Sequence, residues 1–172
     1  QNIFFSNILA FVITYAYYVT IFSILIVIAV YDFRHKIIPD ILSFVFGALA
    51  FFSLFLFSAN NHLSLPVFSL RAPSILEFLS GPIIAAPLAF FWLVSSGKWM
   101  GLGDAKLAIG LGWLLGLSLA LSGVVLAFWI GAVVGIMLVI FSKKHKMKSE
   151  IPFAPYLILG AFLAFIFELH IF

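Results

Sequence analysis

The sequence predicts an all-α, polytopic membrane protein with six transmembrane helices. Of its 172 residues, 65% are apolar and only 9% are charged, whereas a soluble domain carries about 25% charged residues. A chain this apolar cannot cover its surface with polar groups, so we expect lipid to be its main solvent. Its apolar runs also reach the length of about 20 residues that a helix needs to cross the hydrocarbon core.

The apolar runs that we interpret as helices are 8–31, 41–58, 75–94, 101–141 and 152–171. The fourth run is too long for one crossing and is predicted to be a helical hairpin, which brings the total to six. Its turn could lie at 116–118 or at 122–123, and the sequence does not choose between them. Pro82 and Pro87 predict a kink in the third run.

The composition excludes several other classes of protein. The chain has no cysteine, which excludes disulfide scaffolds, thiolate metal sites, iron–sulfur clusters and cysteine nucleophiles. Its net charge of +3 is small and scattered, so we expect no nucleic-acid partner. The first residue is Gln rather than Met, and the chain is therefore interpreted as a fragment or a processed product. The sequence does not determine the oligomeric state.

Basic residues predict the orientation in the membrane. With six helices, one side holds Arg34, Lys36, Lys98, Lys106 and the four lysines of 143–148, and the other side holds only Arg71. Because basic loops stay in the cytoplasm, the first side is expected to be cytoplasmic and both termini to lie outside. The expected location is the cytoplasmic (inner) membrane, with membrane lipid as a partner.

Two aspartates stand at the ends of predicted helices on the cytoplasmic side. Asp32 directly follows the first apolar run, and Asp104 lies just before the fourth helix. Acids at a membrane boundary carry a desolvation cost and therefore usually have a function. Simpler interpretations remain open: Asp40 and Asp104 could each be a helix N-cap, and Asp32 an interfacial charge beside Arg34.

A pair of close aspartates indicates acid–base chemistry without a cofactor. Two such carboxyl groups cannot easily both ionise, so one keeps a proton that it can donate to a peptide carbonyl, while the other accepts a proton from water. Nucleotide motifs fail on inspection: the third glycine of a dinucleotide fingerprint is replaced by Lys106, and no HExxH occurs. We therefore expect no cofactor and no metal.

Three segments carry a resemblance to a known family. Residues 32–40 (Asp-Phe-Arg-His-Lys-Ile-Ile-Pro-Asp) resemble the first signature of type IV prepilin peptidases, and residues 101–107 (Gly-Leu-Gly-Asp-Ala-Lys-Leu) match the second, GxGDxKL. Residues 151–157 resemble the third block, although Ala154 stands where the family usually has glycine. The three segments occur in the family's order.

The resemblance implies a GxGD intramembrane aspartic protease with Asp32 and Asp104 as its catalytic pair. Family members cut the short basic leader from type IV prepilins and pseudopilins at the cytoplasmic membrane face. The motif residues expected to shape the loops and the substrate site are Gly101, Gly103, Lys106, Pro39 and Asp40. Residues 1–172 are expected to form one transmembrane peptidase core. N-methyltransferase activity is not supported, because the cysteine pairs linked to it are missing.

A different class of protein stays open beside this one. The chain could be a proton- or cation-coupled transporter, or a membrane subunit without catalysis, because intramembrane acids are common there. A transporter favours acids near the bilayer midplane in broken helices. Acids at helix ends on one side favour the peptidase.

Overall fold

The computed structural model describes residues 2–58, 67–68, 72–141 and 152–170. Its helices are α1 (Asn2–His35), α2 (Asp40–Leu56), α3 (Ile75–Ser95), α4 (Leu102–Phe141) and α5 (Ala154–Ile166). Two strands that the sequence did not predict, β1 (Phe57–Ser58) and β2 (Val67–Phe68), form an antiparallel pair two residues long. Apart from this pair, the regular structure of the described residues is helical, as predicted.

The end of α1 differs from the prediction. The helix continues to His35, so that Asp32 lies inside its last turn and not after it. Lys36 ends the helix in the left-handed region, with a φ of 55°, and its N–H donates to the Asp32 carbonyl oxygen at 2.7 Å. A left-handed residue at this position is a common way to terminate a helix.

The start of α3 lies at Ile75, as predicted, because Ser74 and Glu77 form a capping box. The Glu77 N–H donates to Ser74 Oγ at 3.2 Å, and the Ser74 N–H donates to Glu77 Oε2 at 2.8 Å. These two bonds satisfy amides that a helix start leaves without partners. Beyond them, α3 continues as one helix through Pro82 and Pro87.

The helices run in alternating directions, as shown by their contacts. α1 is antiparallel to α5, because Tyr18 packs on Phe165 near one end of the bundle while Asp32 contacts Ala154 at the other. α2 and the first half of α4 run in the same direction; their contact pairs, in order along both helices, are Asp40–Lys106, Phe46–Gly110 and Phe51–Trp113. We call the end that holds Asp32 the aspartate end.

Gly116 reverses the chain inside α4. It has φ 76° and ψ 172° within an otherwise helical run. The charge of Asp104 interacts with that of Asp32 at the aspartate end, and Phe128 also lies there, packed on Phe153 with ring centroids 5.0 Å apart. In one straight helix, 24 residues would span about 36 Å. α4 is therefore a hairpin of two helices, 102–115 and 117–141, with its turn at the earlier of the two predicted positions.

The helices approach one another closely where both carry small residues. A Cβ on Gly112 would lie 2.7 Å from the Ser80 carbonyl oxygen of α3, and a Cβ on Gly123 would lie 2.9 Å from the Cα of Ala161 in α5. Since helices in lipid associate through such packing rather than through hydrophobic burial, these contacts hold the hairpin against its two neighbours.

The outer surface of the bundle is apolar, as expected for a membrane protein. Ile41, Phe44, Ile75 and Leu93 are examples of large apolar side chains that are mostly exposed. Three helical stretches, Phe11–His35, Ile75–Ser95 and Leu102–Leu138, are long and apolar enough to cross a membrane by length and composition. The third stretch contains both arms of the α4 hairpin. α2 and α5, with 17 and 13 residues, are shorter. Six crossings therefore remain a prediction.

The last helix is shorter than predicted. α5 begins at Ala154 rather than at 152 and ends at Ile166, where Phe167 and Glu168 form a turn. Glu168 adopts a left-handed φ of 47°, and a right-handed helix cannot continue through a residue in that conformation. The predicted end at 171 lies outside the described residues, as do the lysine run 143–148 and Arg71.

Candidate active site

Asp32 is buried at the junction of α1 and α5. Only 4% of the residue is exposed, so it is not the solvated interfacial charge that one interpretation of the sequence allowed. Its Oδ2 accepts a hydrogen bond from the Ala154 backbone N–H at 3.3 Å. Ala154 is the first residue of α5, and the positive end of a helix dipole stabilises a carboxylate.

Asp104 is buried in the first turn of α4 and is 6% exposed. It is the third residue of the helix and therefore not its N-cap. Its carboxyl group accepts a hydrogen bond from the backbone of Gly101, and its charge interacts with that of Asp32. Its Oδ1 is buried without a hydrogen-bond partner. The structure thus brings the two predicted aspartates together, although they are far apart in sequence.

The two glycines of the GxGD segment lie in different surroundings. A Cβ on Gly101 would lie 3.5 Å from Asp104 Oδ2, an ordinary contact. A Cβ on Gly103 would lie only 3.0 Å from the Cβ of Ile38, in the connection between α1 and α2. Neither glycine has a positive φ. Gly103 therefore serves the close approach of α4 to this connection, and not an unusual backbone conformation.

Asp40 and Lys106 form an ion pair away from the buried aspartates. Lys106 Nζ lies 2.6 Å from Asp40 Oδ1, with 44% and 77% of the two side chains exposed. The N-cap interpretation of Asp40 is wrong, because α2 already begins at Asp40 and the Ser43 N–H bonds to the Pro39 carbonyl oxygen. Pro39 thus supplies the first helical acceptor of α2.

An apolar groove of about 610 Å³ lies between α2 and the first half of α4. Asp40 and Lys106 are among its lining residues, together with Phe44, Phe51 and Trp113. Neither Asp32 nor Asp104 lines it, so the groove is separate from the pair of buried carboxyl groups.

The aspartate end also carries the positive charge of the described residues. Every lysine and arginine in the described ranges belongs to this end: Arg34, Lys36, Lys98 and Lys106. Among the described residues, no group of three or more His, Asp or Glu side chains could hold a metal ion. What the site offers is two carboxyl groups, one of them with an unpartnered oxygen.

Two residues of this site were missed by the sequence reasoning. Ala154 supplies the amide that contacts Asp32, and Ile38 packs against Gly103. Both lie in segments that carry the family resemblance, 151–157 and 32–40, so a signal was present in the motifs. A backbone amide leaves no trace in residue identity, however, and could not be assigned from the sequence.

Comparison with known proteins places the chain in a family. The model of the type IV leader peptidase family matches residues 19–136. The chain is 30% identical over 135 residues to the prepilin leader peptidase/N-methyltransferase of Xanthomonas campestris pv. campestris, which covers 78% of this chain but less than half, 44%, of that relative. No solved structure matches it. Because the family model matches more than half of its residues, the chain belongs to the type IV leader peptidase family.

Proposed function

We propose that this chain is the core of a membrane aspartic endopeptidase that cuts the short basic leader from type IV prepilins or pseudopilins. Family membership supports the substrate class and the reaction. The observation that carries the aspartic mechanism is the burial of both Asp32 and Asp104 at one end of the bundle, where the charge of Asp32 acts on Asp104. Buried, interacting carboxyl groups are typical of catalytic acids and bases.

The proposed reaction uses both ionisation states of the pair. The ionised aspartate takes a proton from water as the water oxygen attacks the carbonyl carbon of the scissile peptide, and the protonated aspartate donates to the carbonyl oxygen. Collapse of the resulting diol breaks the C–N bond: one proton moves to the leaving amine and another returns to the pair. The products are the leader with a new carboxyl terminus and the mature protein with a new amino terminus.

The proposed setting is the cytoplasmic membrane, with the aspartate end facing the cytoplasm and residues 1–172 acting as one six-span domain. The four described cations at this end support the orientation, and the alternating directions of six helical segments support the topology.

The transporter alternative is less well supported. The break in α4 is at Gly116, which lies at the end of the bundle opposite the two aspartates. A transporter would place its acids beside such a break, near the middle of the membrane.

Cleavage of a leader-bearing prepilin by single variants in membranes tests the proposal. Asp32→Asn and Asp104→Asn keep the side-chain shape but cannot exchange the proton, so each is expected to lower the rate at least about 100-fold. Asp40→Asn is the matched control and is expected to keep most of the activity, because the exposed ion pair lies outside the buried site. An active Asp32→Asn beside an inactive Asp40→Asn would show that Asp32 is not the first catalytic aspartate and would favour Asp40 in its place.

A further inference from the structure

The two aspartates differ in what their carboxyl oxygens contact. Asp32 Oδ2 accepts the Ala154 N–H at the start of the 13-residue helix α5, and Asp104 accepts a backbone hydrogen bond from Gly101. The difference is in the remaining oxygens: Asp104 Oδ1 is fully buried without a partner, and no oxygen of Asp32 is in that position. The site is therefore asymmetric.

An unpartnered, fully buried oxygen is costly on an ionised carboxylate. Its negative charge has lost water and gained no donor in exchange. A proton on the same oxygen removes the charge and supplies a donor. The negative charge of Asp32, which acts on Asp104, favours this neutral form of Asp104. Asp32 needs no such correction, because its buried oxygen already has an N–H donor.

We propose that the Ala154 amide positions Asp32 in its ionised form, so that Asp32 is the base that takes a proton from water and Asp104 carries the proton given to the scissile carbonyl. This inference rests on the proposed function for its catalytic meaning. Ala154 acts only through Asp32 and is a positioning residue. In each turnover the proton taken up by Asp32 and the one lost from Asp104 balance, and the pair returns to its resting state when the amine leaves.

The other charged groups around the pair do not remove this asymmetry. From α2 and α4, Asp40 and Lys106 face each other in an exposed ion pair. From the end of α1, Arg34, His35 and Lys36 are all exposed, and so is Lys98 after α3. In the described part of α5, the only titratable side chain is that of Tyr156.

The chain offers a direct measurement, because it contains only three aspartates: Asp32, Asp40 and Asp104. The full chain is labelled with ¹³C at the aspartate carboxyl carbon, placed in lipid nanodiscs and titrated by NMR, with Asp40→Asn and Asp104→Asn used to assign the signals. We expect the Asp32 signal to titrate at lower pH than the Asp104 signal. The reverse order would overturn the proposal, and so would equal midpoints.

Ala154→Pro tests the role of the amide. Proline removes the N–H and suits the first turn of a helix, although it strains Phe153, whose αR conformation a following proline disfavours. Ala154→Gly keeps the N–H and is the matched control. Loss of the bond is expected to shift the ionisation equilibrium of Asp32 about tenfold toward the protonated form, which raises its titration midpoint by about one pH unit. The glycine variant should leave the midpoint unchanged. An unmoved midpoint in the proline variant, or an equal shift in the glycine variant, would contradict the role of the amide.

These outcomes are distinguishable from failure of the proposed function. The titration order is measured without substrate, whereas the function fails if Asp32→Asn or Asp104→Asn still cleaves prepilin. If the proline variant does not fold, the titration of the unmodified chain still decides which aspartate holds the proton.

Discussion

Replacement of Gly103 by alanine probes how closely α4 approaches the connection between α1 and α2. The new Cβ would lie 3.0, 3.2 and 3.3 Å from the Cβ, Cδ1 and Cγ1 atoms of Ile38, so Ile38 must move by a few tenths of an ångström. Overpacking of this kind costs about 1–3 kcal/mol, and the helix propensity of alanine offsets at most about 1 kcal/mol. We expect a net loss of about 1–2 kcal/mol in the free energy of unfolding.

The cleavage rate of Gly103→Ala should also fall, because the substitution displaces residues beside both aspartates. Ile38 belongs to the segment that follows Asp32, and Gly103 directly precedes Asp104, so the same displacement changes the relative position of the two carboxyl groups. Because misplacement by about 1 Å can lower a rate about 100-fold, a shift of a few tenths is expected to lower it roughly tenfold. Gly101→Ala is the matched control, since its Cβ would make only an ordinary contact at 3.5 Å.

The assay measures prepilin cleavage at matched protein levels in membranes, together with thermal unfolding in detergent. A second comparison repeats Gly103→Ala in an Ile38→Ala background, where two of the three close contacts are gone. If the contact with Ile38 is the cause, the alanine should then cost clearly less. Some cost should remain, because the closest contact is with the Ile38 Cβ, at 3.0 Å, which alanine keeps. A Gly103→Ala variant with normal melting and cleavage would refute this reasoning, and so would an equal cost in both backgrounds.

Three other outcomes are expected. Gly116→Ala should destabilise the protein by about 1–3 kcal/mol through backbone strain, because the φ of Gly116 is 76°, although its Cβ would have no close neighbour. Gly47→Ala is the control, since a Cβ there also has no close neighbour; equal melting temperatures of the two variants would contradict the strain. Lys106→Gln should change the free energy of unfolding by less than about 1 kcal/mol, because the ion pair with Asp40 is exposed; a larger loss in chemical denaturation would mean that the pair is structural. Cleavage should continue in EDTA, since two carboxyl groups that share a proton need no metal; a loss reversed by one divalent ion would indicate a metal-dependent reaction.

Local patterns in the sequence predict the helices and much of the candidate site. Apolar runs of membrane length indicate the helices, and the capping pair at Ser74 and Glu77 gives α3 the start that was expected. The motif residues Asp32 and Asp104 can be selected because charged residues are rare in this chain and each lies at the end of an apolar run. The family follows from the order of three motifs and agrees with the family match.

Other features depend on contacts between residues that are distant in sequence. Both 116–118 and 122–123 suit a turn by composition; only the contacts of the two halves of α4 with their neighbours place it at Gly116. Asp40 suits an N-cap by residue type, but the approach of Lys106 from another helix gives its carboxylate a different partner. The Ala154 amide and the unpartnered oxygen of Asp104 are likewise decided by how α1, α4 and α5 pack. Burial and hydrogen-bond partners are properties of the packed bundle, because every helix that carries one of these groups needs a second helix to enclose it.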